Sequence, residues 1–244
     1  MKNYNKELKN RVAFLQKALK ASGAKGFVYG NSGGKDSALA GILCKKACAD
    51  TLGVIMPCGS ARNYGEDARD ALLVAGQYGI ETTTVDLSSV KQELLRVFDD
   101  LPVTQAAGNN IAPRLRMTAL YALAQSRNAL VCGTGNRSEG YMGYFTKWGD
   151  GAYDVNPIAD LTVTEIYEFL RFLGAPAQII EKAPSAGLFD GQTDEAEMGV
   201  SYAEIDALLS GEEISEKSVR IIRAMHEKSA HKRTPPLVYG GDAE

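Results

Sequence analysis

The sequence predicts an α/β fold: a parallel sheet with helices on both faces, in a single domain spanning residues 1–244. Two observations carry this. Short β-prone runs alternate with longer segments of helical period, and such alternation selects a parallel sheet whose crossovers are helices. The first β-prone run also ends in a glycine turn that opens directly into a helix, Tyr29-Gly30-Asn31-Ser32-Gly33-Gly34-Lys35-Asp36-Ser37.

Taken in order, residues 4–22 place Val12, Leu15 and Leu19 at helical spacing among lysines, and Ser22-Gly23 stops that helix. Residues 25–29 form the first strand, and residues 38–44, rich in Ala and Leu, continue the helix after the glycine turn. Residues 52–57 are a second strand closed by Pro57, and residues 66–78 a helix closed by Gly79. Residues 80–87 read as a third strand and residues 88–98 as a helix capped by Ser88. A helix over 114–126 leads to a strand over 130–132. Helices follow over 164–173, capped by Thr162 or Thr164, and over 202–209 and 215–228. Residues 183–199 are polar and without period, as is the tail around 229–236; both are expected to close over a ligand.

Composition excludes several classes. No apolar run reaches the length of a membrane helix, and the N-terminus lacks the apolar core of a signal peptide. Net charge is −3, which gives no general basic face for nucleic acid. Cys44, Cys48, Cys58 and Cys132 lack zinc-type spacing and suit a reducing cytoplasm.

Ligands of open parallel sheets bind at the carboxyl ends of the strands. The glycine turn falls at such an end, where successive N–H groups and a helix N-terminus attract an anion, usually phosphate. Its spacing is neither the Walker loop nor the dinucleotide fingerprint. The turn at Gly133-Thr134-Gly135-Asn136-Arg137-Ser138-Glu139 also follows a strand, and Glu139 offers a hard oxygen for Mg²⁺. One of Arg114 and Arg116 is expected to point toward the site, since residues two apart do not share a helix face. Residues 143–154 combine aromatics and glycines with Lys147, Asp150 and Asp154, a pattern that suits stacking on a heterocycle.

The motif Ser32-Gly33-Gly34-x-Asp36-Ser37 resembles the pyrophosphate loop of the N-type ATP pyrophosphatases, whose fold is Rossmann-like and adenine-nucleotide-α-hydrolase-like. Further motifs narrow this: Arg114-x-Arg116-Met117, Phe145-Thr146-Lys147-x-Gly149-Asp150-Gly151, Pro184-Ser185-Ala186-Gly187-Leu188 and His231-Lys232-Arg233. Together they make the chain similar to bacterial ammonia-dependent NAD⁺ synthetases over nearly its whole length. The resemblance implies a carbon–nitrogen ligase that amidates deamido-NAD⁺ with ATP and ammonia through an adenylate, releasing AMP and pyrophosphate.

It also implies roles. Gly30, Asn31, Ser32, Gly33, Gly34, Lys35, Asp36, Ser37, Thr134 and Ser185 would bind ATP or its pyrophosphate. Asp36 and Glu139 would hold Mg²⁺; Arg114, Lys147, Asp154, His231 and Lys232 would contact deamido-NAD⁺; Asp150 would receive ammonia. A cytoplasmic homodimer without a glutaminase domain is implied, with small molecules rather than nucleic acid or membrane as partners. Two departures stand out. Val163 occupies a position where many members carry lysine, and Lys35 replaces a usually neutral residue. Rival readings are another N-type ATP pyrophosphatase, amidating or thiolating, or a non-catalytic ATP-binding module.

Overall fold

The structure, a computed structural model, describes residues 2–182 and 194–239. It opens with helix α1 (Tyr4–Ser22), strand β1 (Gly26–Gly30), helix α2 (Lys35–Ala47) and strand β2 (Thr51–Ile55). A short α3 (Ala61–Tyr64) precedes α4 (Glu66–Tyr78), β3 (Glu81–Thr84), α5 (Ser88–Val97), α6 (Gln105–Asn109), α7 (Ile111–Arg127) and β4 (Ala129–Cys132). Then come α8 (Arg137–Met142), α9 (Val163–Leu173), α10 (Ala177–Glu181), α11 (Asp194–Met198), α12 (Tyr202–Leu209) and α13 (Glu216–Lys228), with a 3₁₀ turn at Ala230–Lys232.

The strands form a sheet of order β3-β2-β1-β4, parallel throughout. Alternation along β1 divides the core. Phe27 and Tyr29 face a cluster that includes Leu15, Leu39, Leu43, Ile166 and Phe169, so α1, α2 and α9 cover that side. Val28 points the other way, into a cluster with Leu52, Val54, Val131, Ala112 and Ala124, where α7 covers the sheet. A third cluster joins Met142, Val163, Met198, Tyr202, Ile205 and Ile222 beside the sheet.

This strand order fixes the location of the site. The chain moves outward from β1 through β2 to β3 and returns to the other flank of β1 with β4. The carboxyl ends of β1 and β4 therefore flank the switch point, where the connections diverge and leave a crevice.

Several expected boundaries shift. β3 is Glu81–Thr84 rather than 80–87, because the chain turns at Asp86, whose carboxylate accepts the Ser88 N–H at 2.9 Å. Ser88 is accordingly the first residue of α5 rather than its cap. Helix α7 starts three residues before the expected 114, since Pro113 is tolerated in a first turn whose N–H groups have no intrahelical partner. Within 183–199, the described residues contain helix α11.

Candidate active site

The glycine turn after β1 is built by local necessity. Gly33 has φ of +72°, and a Cβ there would lie 2.2 Å from the Asp67 carbonyl oxygen, so the position excludes a side chain twice over. Ser32 Oγ donates to Ser37 Oγ at 3.1 Å and accepts from the Gly34 N–H at 3.3 Å, while Ser37 Oγ donates to Gly34 O. These bonds shape the loop without capping α2, whose N-cap Gly34 offers no side chain. The first-turn residues of α2 line a cavity of about 480 Å³. Uncapped N–H groups at the head of a 13-residue helix suit a polyanion.

Opposite stands the turn after β4. Asn136 caps α8 and completes a capping box: its Oδ1 accepts the Glu139 N–H at 2.9 Å, and Glu139 Oε2 accepts the Asn136 N–H at 3.0 Å. The remaining polar group of Asn136, Nδ2, donates to Asp36 Oδ1 at 3.0 Å. One buried amide thus ties the two expected Mg²⁺ ligands together across the switch point. Burial, with the Asp36 charge beside it, pushes the Glu139 carboxyl well above the usual carboxylate range.

Lys35 completes the cluster. It is buried, and its ammonium lies 2.8 Å from Asp36 Oδ2. It also sits 5.8 Å and 5.5 Å from the ring centroids of Tyr167 and Tyr202. Burial pulls its pKa down, but the charges of Asp36 and Glu139 outweigh that and hold it above the ordinary lysine value.

Farther along the wall, Asp150 lines the cavity and accepts the Thr146 N–H at 2.9 Å. Desolvation raises its pKa against that bond and against Lys232 and Arg116. Of the paired arginines, Arg116 lines the cavity, donating to Met56 O at 3.1 Å and Asn63 Oδ1 at 3.2 Å. Lys182, which belongs to no motif of the sequence, also lines the cavity. Its ammonium pairs with Asp67 at 2.8 Å and Asp70 at 2.6 Å and joins α4 to the segment after α10.

The sequence profile of the NAD synthase family matches residues 7–236. The chain is 43% identical to the NH(3)-dependent NAD(+) synthetase of Alkaliphilus oremlandii, with 96% of each protein covered. Among solved structures it is similar to NMN synthetase from Francisella tularensis, at a TM-score of 0.94 and 38% identity, covering 99% of this chain and 100% of that one. It is also similar to the NH3-dependent NAD synthetase of Campylobacter jejuni, at a TM-score of 0.83 and 27% identity, covering 98% and 100%. The chain belongs to the NAD synthase family.

As an NAD synthase family member, it arranges its expected dinucleotide contacts unevenly. Lys232 lines the cavity, and its ammonium donates to Gly143 O and Phe145 O, both at 2.7 Å. Burial lowers its pKa. Lys147 donates to His231 O at 2.5 Å and lies over the Trp148 ring, and His231 itself is exposed. Arg114 is exposed and reaches Lys147 O at 3.4 Å. Both Asp154 oxygens are engaged, Oδ2 by the Val131 N–H at 2.8 Å and Oδ1 by the Tyr121 hydroxyl at 3.2 Å. Arg114, Lys147, Asp154 and His231 lie outside the cavity lining. Of the expected ATP contacts, Gly30, Asn31, Ser32, Gly34, Lys35, Asp36, Ser37 and Thr134 line the cavity. Gly33 supports the loop from behind, and the Asn31 amide donates to Ala71 O at 3.2 Å, so its side chain anchors the loop to α4. Ser185 lies outside the described residues. The tail is already docked, with Arg233 donating to Ser229 Oγ and His226 O beside the Lys232 contacts.

Proposed function

We propose that this ligase amidates deamido-NAD⁺ to NAD⁺ with free ammonia and ATP. The observation that carries this reading is the Asn136 bridge between Asp36 and Glu139 at the floor of the cavity, beside an uncapped helix head. The loop of residues 32–37 and the head of α2 receive the β and γ phosphates. The nicotinate carboxylate attacks the α phosphorus, the α–β bond breaks, and pyrophosphate leaves into the loop. Ammonia then attacks the acyl carbon, and AMP leaves. Asp150 holds the incoming ammonium and takes its proton, a task suited to a carboxylate whose pKa burial has raised. Enclosure keeps the adenylate from water.

Mg²⁺ fits the residues present. Among the described residues no group of three acidic, His or Cys side chains gathers, and Mg²⁺ is commonly held by one or two carboxylates together with substrate phosphates. Asp36 and Glu139 would hold it, and the ion would offset charge on the departing pyrophosphate. Arg114, Lys147, Asp154, His231 and Lys232 are assigned to deamido-NAD⁺, and Thr134 and Ser185 to ATP. A homodimer is supported by α5, none of whose residues is buried although Val90 and Leu95 place apolar surface along it. Val97 at the end of α5 and Leu101 beyond it, 69% and 60% exposed, add to that apolar surface. Four free thiols support a reducing, cytoplasmic setting, and no described helix is long and apolar enough to cross a membrane. We assign residues 1–244 to one synthetase domain.

A second reading has specific support. The likeness to an NMN synthetase at a TM-score of 0.94 points to the shorter mononucleotide acid as substrate, and Asp154, expected to contact the dinucleotide, lies outside the cavity lining with both carboxylate oxygens engaged. Chromatography of products from ATP and ammonium with either acid separates the two. NAD⁺ formed faster from deamido-NAD⁺ supports the first reading; amidation of the mononucleotide alone replaces it with the second.

A further inference from the structure

Lys35 and a divalent cation have claims on one pair of carboxylates. We propose that, with no nucleotide bound, the Lys35 ammonium is the resident cation of the Asp36–Glu139 pair, so that Mg²⁺ enters only together with a polyphosphate that draws the ammonium away. This deepens the reading above and rests on its metal assignment.

The geometry supports it from three sides. Both oxygens of Asp36 are occupied, Oδ2 by Lys35 Nζ at 2.8 Å and Oδ1 by Asn136 Nδ2 at 3.0 Å. A hard cation arriving alone must therefore displace a charge-assisted bond in a buried site, where an ammonium left without partner is strongly disfavoured. The far side of the ammonium meets the faces of Tyr167 and Tyr202, which stabilise a cation and supply no charge to hold it. The long lysine stem can then swing toward phosphate in the adjoining loop, since Lys35 is the first residue of α2 and lines the same cavity.

The neighbouring positions explain why the role falls to residue 35. Val163 is 4% exposed, belongs to the apolar cluster with Met198 and Tyr202, and brings no charge to this corner. Lys182 is engaged by Asp67 and Asp70, and Lys232 by two carbonyls. The loop supplies its own cation where position 163 of α9 supplies none.

The test measures Mn²⁺ binding by electron paramagnetic resonance in the full chain without nucleotide. Lys35→Met and Lys35→Gln should each bind Mn²⁺ at least about tenfold more tightly than the unaltered protein, as expected when a like charge beside a metal site is removed. The gain should vanish when Asp36→Asn is added. Both single variants should also bind ATP more weakly in the presence of Mg²⁺. Unchanged or weaker Mn²⁺ binding in both variants, with native circular dichroism, would overturn the proposal. No deamido-NAD⁺ or ammonia enters the measurement, so a failure to make NAD⁺ would count against the reaction and leave this result readable.

Discussion

Asn136 carries more of the site than its chemistry suggests, because three of its polar groups hold two carboxylate residues. Its Oδ1 and N–H hold Glu139, and its Nδ2 holds Asp36. Asn136→Asp keeps the cap but loses the donor to Asp36 and adds a charge. The melting temperature should fall, because a third carboxylate is buried beside Asp36 and Glu139, and kcat/KM should fall about 10- to 100-fold, the usual effect of losing a group that orients metal ligands. A Mg²⁺ titration of initial rates alongside thermal melts checks both halves. Asp36→Asn should abolish turnover at any Mg²⁺ concentration with the fold intact, since an amide is a poor ligand for a hard cation; retained turnover would remove Asp36 from the metal.

Asp150 makes a prediction with a definite sign. Burial raises its folded pKa above the unfolded value, so between the two the folded state holds a proton that the unfolded state has lost. Stability therefore falls as pH rises from about 3.9, the ordinary aspartate value, through the folded pKa. Asp150→Asn keeps an acceptor for the Thr146 N–H and removes this penalty. Denaturant melts should show the variant more stable at pH 7 and no different below about pH 3.5. Its amidation rate should nonetheless drop at least about 100-fold if Asp150 takes the ammonium proton.

At the scale of elements, the long helices were legible and the short ones were not. α1, α4 and α12 carry two or more turns of apolar period with clear stops, and their observed bounds agree with the reading of the sequence. α6, α8, α10 and α11 have five or six residues each, too few to display a period. The loop of residues 32–37 was legible because its chemistry is local. The Asn136 bridge was not, although Asn136-x-x-Glu139 is a capping-box pattern, because its third bond crosses 100 residues of sequence. Arg116 illustrates the same limit: spacing said that one arginine of the pair turns inward, and packing against Met56 and Asn63 selects which.

The tail tests the idea of closure at this scale. Lys232 is held by Gly143 O and Phe145 O, and Arg233 by the end of α13, so residues 230–233 stand docked beside the cavity. Lys232→Ala should loosen them, which predicts faster amide exchange there and more ATP cleaved per NAD⁺ formed. Unchanged exchange and unchanged coupling would assign Lys232 no part in enclosing the adenylate. For α5, Val97→Glu with Leu101→Glu should shift sedimentation from dimer to monomer at micromolar protein; a dimer that persists would place the interface elsewhere.

For the whole molecule, the strand order places the β1 and β4 turns against each other, so that Asp36 and Glu139 meet across the switch point through Asn136. In the proposed reaction a carboxylate attacks the α phosphorus of ATP in this crevice. Carboxylate-¹⁸O-labelled deamido-NAD⁺ tests it most directly, with ATP and ammonium, by mass spectrometry of the phosphorylated products. Passage through an acyl-adenylate places one ¹⁸O in AMP for each NAD⁺ formed and none in pyrophosphate. Label in orthophosphate or pyrophosphate, or NAD⁺ made with unlabelled AMP, would contradict the account.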